Sequence, residues 1–190
     1  MLADSYGRVA TDLRVSLTDR CNLRCTYCMP PEGLDWLPRE EVLTSGEIAR
    51  LLRIGVELLG IREVRFTGGE PLLRRDLVSI VSSAASLTPR PEISLTTNGI
   101  GLTRRARDLQ EAGLDRINVS LDTLRPEVFR KLAHRDRLPG FAARAAWKSG
   151  CSDELWLGTR STMTLMLRLF AFWRSSSNSS SVPMRGSTSQ

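Results

Sequence analysis

The sequence predicts an α/β fold of about four βα units within residues 1–140. Two observations support this prediction. Four short runs rich in β-branched residues follow one another along the chain, and a helix pattern with one apolar face comes after each run. From the second run onward, successive runs are about 25 to 30 residues apart. Units of this kind build parallel sheets, whose functional sites gather at the carboxyl ends of the strands.

The predicted strands are residues 13–17, 63–66, 92–96 and 116–121. Between the first two, Thr44 and Glu47 have the spacing of a capping box, and Gly60 suits a left-handed helix end. The apolar stripe of this first helix contains Ile48, Leu51, Leu52, Val56 and Leu59. These signals predict one amphipathic helix that begins just after Thr44.

Three further helices are predicted by the same spacing of apolar residues. The stripe of the second contains Leu77, Ile80, Val81 and Ala84. The third ends at Gly113, and its stripe contains Leu102, Ala106 and Leu109. The fourth begins near Asp122 or Thr123, with an inward face made of Leu124, Val128, Phe129 and Leu132.

Composition limits the class of protein. The chain has 190 residues, of which 41% are hydrophobic and 25% charged, which excludes a collagen, a coiled coil and a fully disordered protein. Arg160 and Arg168 interrupt the most apolar late stretch, so no membrane span is expected. The N-terminus lacks the basic start and apolar block of a secretory signal, and we therefore expect a cytoplasmic protein.

The net charge of +6 comes mostly from the end of the chain. The last 50 residues hold six Lys or Arg and two Asp or Glu, so the core itself gives little indication of a nucleic-acid partner. These residues also lack the βα repeat, and eight of the final 16 are serine. We expect a core at 1–140, a segment at 141–174 that does not continue the repeat, and a disordered Ser-rich tail at 175–190.

Three cysteines, Cys21, Cys25 and Cys28, form a C-x3-C-x2-C motif in the loop after the first strand. Three thiolates so close in sequence can bind one face of a cubic iron–sulfur cluster and leave its fourth iron without a protein ligand. Structural zinc requires four ligands, and neither Cys151 nor His134 has a suitable spacing. From the residues alone, zinc and incidental cysteines remain open alternatives.

This spacing, with an aromatic residue just before the last cysteine, resembles that of the radical S-adenosylmethionine (SAM) enzymes. Four motifs, LRVSLTDRCNLRCTYCMP, RFTGGEPLLRRDL, SLTTNG and INVSLDTL, are similar in order and separation to those of the molybdenum cofactor biosynthesis protein A family, the GTP 3′,8-cyclases. The resemblance covers about residues 5–140. It implies the N-terminal part of a radical SAM partial TIM barrel, followed by an aberrant tail.

The resemblance also implies the roles of nine residues. The ligands of a 4Fe-4S cluster would be Cys21, Cys25 and Cys28. The residues that contact SAM would be Tyr27, Gly69 and Ser120. The residues that bind GTP would be Arg14, Arg65 and Thr96.

Each of these residues except the cysteines also has a plain structural interpretation. Tyr27 could pack under the loop, and Gly69 could belong to an ordinary turn at the end of a strand. Ser120 could satisfy nearby backbone groups. Arg14 and Arg65 could form surface ion pairs, whereas residues 97–99 are better explained as turn residues than as ligands.

In the family, one electron from the cluster cleaves SAM to methionine and a 5′-deoxyadenosyl radical. This radical abstracts hydrogen from C3′ of GTP, and the sugar radical then attacks C8 of guanine. The product is (8S)-3′,8-cyclo-7,8-dihydroguanosine 5′-triphosphate, so the resemblance implies a lyase. It further implies GTP, SAM and an electron donor as partners, and a homodimer.

The later family motifs have no counterparts here. A second three-cysteine cluster, another basic GTP residue and a late SAM-binding methionine are missing, so we expect no second cluster. Two explanations stay open: a shifted or rearranged coding sequence beyond about residue 140, or a different C-terminal domain.

An incomplete barrel has physical consequences. We expect an unpaired edge on the fourth strand, exposed apolar inner faces, weak GTP binding and little cyclisation. The functional alternatives are an inactive remnant, a non-catalytic metal-binding module, and a radical SAM enzyme with another substrate.

Overall fold

The fold is built on one main β-sheet, and the helices pack with one face of that sheet. The computed structural model describes residues 2–123, 125–136 and 164–167. The strands are β1 (Leu2–Ala3), β2 (Val9–Ala10), β3 (Asp12–Ser16), β4 (Glu63–Thr67), β5 (Glu92–Thr97), β6 (Arg116–Ser120) and β7 (Thr164–Leu167). The helices are α1 (Ser45–Arg53), α2 (Leu77–Ala85), α3 (Leu102–Glu111) and α4 (Pro126–Ala133). None of the helices in these ranges is long and apolar enough to cross a membrane.

The main sheet has the strand order β3-β4-β5-β6-β7, and β1 pairs with β2 in a separate hairpin. Strands β3 to β6 are parallel, which confirms the predicted α/β class with four βα units. Strand β7 runs antiparallel beside β6, with Ile117 opposite Leu167 and Ser120 opposite Thr164. The expectation of an unpaired edge on the fourth strand is therefore wrong: this short strand supplies the backbone partners.

Helix α1 begins as the sequence predicts. Thr44 caps it and forms the full capping box with Glu47. A π-helical turn, Ile54–Leu58, continues it to Gly60, which has a φ of +82°. Ile48, Leu52 and Val56 are buried, but Leu51 is half exposed, so its placement in the inward stripe is wrong.

Helices α2 and α3 confirm most of their predicted stripes. Leu77, Ile80, Val81 and Ala84 are all buried, as are Leu102 and Leu109. Helix α4 begins at Pro126, later than the predicted start near Asp122 or Thr123. Proline favours the first helical position, and the residue before it, Arg125, is held in an extended conformation. Phe129 of the predicted stripe is buried, whereas Leu124 lies outside the described residues.

The two faces of the parallel sheet differ completely in chemistry. The face that packs with the helices in one core carries Val64, Phe66, Ile93, Leu95, Ile117 and Val119. The register places only polar side chains on the opposite face of β3 to β6. This polar face consists of Asp12, Arg14, Ser16, Glu63, Arg65, Thr67, Glu92, Ser94, Thr96, Arg116, Asn118 and Ser120. The expectation of exposed apolar inner faces is wrong, because side chains alternate along each strand and all the apolar ones face the helices.

Candidate functional site

The three cysteines lie in one loop that leaves the carboxyl end of β3. Cys21 and Cys25 are partly buried, Cys28 is exposed, and all three are free thiols. The loop turns tightly, because the N–H groups of Cys28 and Met29 both donate to the carbonyl of Cys25, at 2.8 and 3.0 Å. The N–H of Leu23 donates to Cys21 Sγ at 3.4 Å. The loop therefore presents sulfur atoms at the edge where the parallel strands end.

The end of helix α4 holds this loop in place. The N–H groups of Arg24 and Thr26 donate to the carbonyls of Ala133 and Leu132, at 3.1 and 2.9 Å. Carbonyls in the last turn of a helix have no partner within the helix, so they are available for such contacts. Arg135 adds a bond from Nε to the carbonyl of Asn22 at 2.7 Å. Residues as far along the chain as 135 thus support the cysteine loop.

The donor set fits a 4Fe-4S cluster with one open iron. Burial raises the pKa of the Cys21 and Cys25 thiols, so they stay protonated until bound iron stabilises the thiolates. Among the described residues, no three Cys, His, Asp or Glu side chains converge to hold a single ion. A cluster of this kind places each thiolate on a different iron.

Gly68 and Gly69 face the chain's own backbone. A β-carbon at Gly68 would meet the carbonyl oxygen of Thr18, and one at Gly69 would meet the carbonyl oxygens of Asp19 and Arg20. The N–H of Gly69 donates to the Thr18 carbonyl at 2.6 Å. Any β-carbon at these two positions would collide with the segment leading into the cysteine loop, so the chain's own packing requires both glycines. Gly69 is also exposed and lines a cavity of about 390 Å³.

Glu70 is a site residue that sequence reasoning missed. Its side chain is completely buried, and Oε1 accepts bonds from the N–H of Leu72 at 2.9 Å and from Thr97 Oγ1 at 2.6 Å. Oε2 accepts from the N–H of Asn98 at 2.8 Å. Burial raises the pKa of Glu70, and the three hydrogen bonds oppose that rise. The carboxylate ties the turn after β4 to the end of β5.

The sequence did contain one indication of this role. Glu70 is a charged residue placed between Gly69 and a run that starts at Pro71 and is buried. The turn at residues 97–99, which Glu70 contacts, has the hydrogen bonds expected of turn residues. Gly99 N–H donates to Thr97 Oγ1, and Ile100 N–H donates to Asn98 Oδ1, both at 2.9 Å. The prediction that residues 97–99 serve the turn is confirmed.

Tyr27 reaches from the cysteine loop to the residues that follow β6. Tyr27 is 62% exposed, and its hydroxyl donates to Asp122 Oδ2 at 2.7 Å. Burial of the hydroxyl and its bond to Asp122 raise the pKa of Tyr27. Ser120, exposed at the end of β6, lies two residues before Asp122. These contacts bring Tyr27 and the end of β6 together; the ring does not pack under the loop.

The three residues that the resemblance assigns to GTP all lie on the polar face. Arg14 and Arg65 are paired in register on β3 and β4, and Thr96 is paired with Asn118 on the next two strands. Neither arginine makes a salt bridge with a carboxylate of the described residues, and no described group accepts from the buried Nε of Arg65. The ion-pair interpretation of Arg14 and Arg65 thus finds no partner in this part of the chain.

A row of carboxylates lies next to these arginines, toward the amino ends of the strands. Asp12, Glu63 and Glu92 are successive register partners. A hydrogen bond with Asp12 raises the pKa of Glu63. Arg116 forms ion pairs with two of these carboxylates: its Nη2 lies 3.3 Å from Glu92 and 3.9 Å from Glu63. A groove of about 220 Å³ between the acidic row and the arginines is lined by Asp12, Leu13, Arg14, Glu63, Arg65 and Ser94.

The profile of the radical SAM superfamily matches residues 15–149, well over half of the chain. The chain belongs to the radical SAM superfamily. The match includes all three cysteines of the motif and the four parallel strands except the start of β3. The family assignment made from the motifs is confirmed.

Curated relatives of this radical SAM chain carry the name GTP 3′,8-cyclase. The relative from Streptomyces coelicolor is 68% identical over 147 residues, which are 75% of this chain and 43% of that protein. The relative from Mycolicibacterium smegmatis is 64% identical over 145 residues, 76% of this chain and 40% of that protein. A third, from Mycobacterium marinum, is 67% identical over 137 residues. The chain therefore spans about two fifths of the length of these relatives.

A solved structure has a similar fold. The crystal structure of BtrN in complex with AdoMet and 2-DOIA has a TM-score of 0.50 against this chain and 23% sequence identity. The matched region covers 72% of this chain and 55% of BtrN. At this identity, the likeness shows the fold alone.

Proposed function

We propose that this radical SAM chain is a GTP 3′,8-cyclase-like protein of molybdenum cofactor biosynthesis. The observation that carries the proposal is the pair Arg14 and Arg65 on the polar face, next to each other in register and without a described carboxylate partner. Guanidinium groups suit phosphate and guanine acceptors. The names of the relatives indicate the nucleotide.

Cys21, Cys25 and Cys28 would hold one 4Fe-4S cluster, since their loop offers three free thiols. When bound, this cluster supplies the electron that cleaves SAM for radical chemistry. Tyr27, Gly69 and Ser120 would contact SAM at the carboxyl ends of the strands. The protein's part is to orient SAM beside the cluster and to exclude water. The bond between Tyr27 and Asp122 supports this role, because it fixes the tyrosine beside the end of β6.

Arg14, Arg65 and Thr96 would bind GTP on the polar face. Arg14 and Arg65 lie in the middle of β3 and β4, deeper than the cysteine loop, and Thr96 lies near the carboxyl end of β5. This arrangement would direct the nucleotide along the inside of the sheet. Hydrogen abstraction at C3′ and ring closure at C8 would then make the protein a lyase. An external electron donor, a cytoplasmic location and a homodimer belong to the same proposal. The four cysteines of the chain leave no second trio for another cluster.

In this proposal the radical SAM core ends near residue 140, and a non-family segment at 141–174 and a Ser-rich tail at 175–190 follow it. The last two parts fall outside the described residues except for β7. A second candidate function is an inactive remnant that binds the cluster and SAM without cyclising GTP.

One assay separates these functions. The full chain is reconstituted anaerobically with iron and sulfide, reduced, and incubated with SAM in the presence and absence of GTP. Products are identified by mass spectrometry. Cyclised nucleotide together with GTP-dependent 5′-deoxyadenosine supports the cyclase. SAM cleavage without cyclised product supports the remnant, and absence of both products contradicts the proposal.

Cys25→Ser and Cys151→Ser form a matched pair for this assay. The first removes a thiol of the motif, and the second removes the cysteine outside it. Product formation should disappear in Cys25→Ser and persist in Cys151→Ser. Equal loss in both variants would argue against the assigned ligands.

A further inference from the structure

Asn118 is a buried polar residue whose carboxamide oxygen lacks a partner. It is 4% exposed on β6, and no donor of the described residues reaches its Oδ1. Nearly all buried polar atoms of folded proteins are hydrogen-bonded, so each exception needs an explanation. The turn residues near the cysteine loop do not supply one, because Asn98 bonds to Asn22 instead.

The position of Asn118 indicates what could reach it. Thr96 is its register partner on β5, and Arg116 and Ser120 lie on the same face of β6, two residues away on either side. Residues two apart on a strand are separated by about 7 Å. Asn118 therefore lies between the level proposed for SAM, at Ser120, and the level of Arg14, Arg65 and Arg116.

Arg116 does not donate to Asn118 Oδ1. Its Nη2 lies 3.3 Å from Glu92, one of the row of carboxylates. Charge also limits the ligand group. A neutral carboxamide oxygen accepts a hydrogen bond and has no positive charge with which to bind phosphate. A group with a neutral donor is required at this level, and the nucleosides of SAM and GTP both carry such donors on their ribose.

We infer that Asn118 is a further binding residue, whose Oδ1 accepts a hydrogen bond from a ribose hydroxyl at the junction of the two nucleosides. This inference rests on the proposed function, and it adds a residue to which the resemblance gives no role. A purely structural role is disfavoured, because loss of Oδ1 would break no hydrogen bond among the described residues.

The test measures ligand binding to the full chain. Calorimetric titrations with GTP, 2′-deoxy-GTP, 3′-deoxy-GTP and SAM are run on the reconstituted chain, on Asn118→Ala, and on Gln110→Ala. Gln110 is a matched control, since it is an exposed carboxamide on helix α3. A neutral hydrogen bond changes affinity by about 3- to 10-fold.

If Asn118 contacts the ribose of GTP, the unmodified chain binds GTP about 3- to 10-fold more tightly than one of the deoxy analogues, and Asn118→Ala abolishes that difference. If it contacts the ribose of SAM, Asn118→Ala weakens SAM by a similar factor and leaves the GTP series unchanged. Either pattern supports the inference, provided that Gln110→Ala changes neither ligand.

Unchanged binding of both ligands in Asn118→Ala would overturn the inference while leaving the proposed function intact. Failure of the unmodified chain to bind either ligand would contradict both. The melting temperature provides a separate check: Asn118→Ala should unfold no earlier than the original chain, and a clear decrease would reveal a structural partner and overturn the assignment. The titrations are repeated with Asn118→Thr, which also removes the carboxamide but keeps a residue type that favours strands.

Discussion

Replacing Glu70 tests whether a buried carboxylate holds the turn after β4 against the end of β5. Glu70→Ala leaves three donors without an acceptor: the N–H groups of Leu72 and Asn98, and the hydroxyl of Thr97. A buried donor without an acceptor costs about 1–3 kcal/mol. Relief from burying a carboxylate offsets part of this sum, so we expect the free energy of unfolding to decrease by about 3–5 kcal/mol.

Glu70→Gln is the milder change. The amide oxygen can stay at the Oε1 position and keep the bonds from Leu72 and Thr97. The amide nitrogen then meets the N–H of Asn98 as a second donor, so that one bond is lost. The expected decrease in the free energy of unfolding is about 1–3 kcal/mol.

The pH dependence of the free energy of unfolding tests the burial of Glu70 independently. Burial raises the pKa of Glu70 above its usual value of 4.5, so the folded protein binds this proton more tightly than the unfolded chain. The contribution of Glu70 to stability is therefore fully present below pH 4.5 and decreases as the pH rises through the folded-state pKa. Glutamine does not titrate, so the stability advantage of the original chain over Glu70→Gln should decrease over that window.

Urea unfolding followed by circular dichroism measures both effects, at a series of pH values. Glu57→Ala and Glu57→Gln are the matched controls, because Glu57 is exposed on the π-helical turn. They should change the free energy of unfolding by less than about 0.5 kcal/mol. A holding role for Glu70 is contradicted if Glu70→Ala lowers the free energy of unfolding no more than Glu57→Ala, or if the stability advantage of the original chain over Glu70→Gln increases with pH.

Two further substitutions test the packing of Gly69 and the binding role of Arg65. Gly69→Ala should lower both the melting temperature and the iron content after reconstitution, since its β-carbon would meet backbone oxygens of the segment before Cys21. Gly46→Ala, in open space within α1, should leave both unchanged or raise the melting temperature; equal effects would contradict the packing argument. Arg65→Ala should weaken GTP binding in calorimetry by about tenfold or more, through loss of charge-assisted bonds. The exposed Arg53→Ala should not, and similar losses would indicate unspecific charge attraction.

Periodicity and caps predicted the strands and helices because their causes are local. The capping box at Thr44 and the alternation of apolar residues along β4 to β6 depend only on neighbours in sequence. The start of α4 was predicted too early, since apolar spacing outweighed the stronger constraint of Pro126. The exposure of Leu51 could not be predicted, because it depends on which face of α1 meets the sheet.

The site was predictable in its motif and less so in its contacts. The cysteine spacing and the neighbouring motifs led to the radical SAM superfamily, and the register now places Arg14 beside Arg65. The role of Glu70 required the structure, since its partners lie 27 and 28 residues away. The lack of a partner for Asn118 Oδ1 likewise follows only from packing.

The central claim is that the three thiols of the motif bind a 4Fe-4S cluster with one iron open to SAM. The most direct measurement is iron and sulfide analysis of the anaerobically reconstituted chain, with electron paramagnetic resonance of the reduced protein before and after addition of SAM. We predict about four iron and four sulfide per chain and a spectrum that changes with SAM. A colourless, iron-free chain, or a cluster whose spectrum SAM leaves unchanged, would contradict the claim.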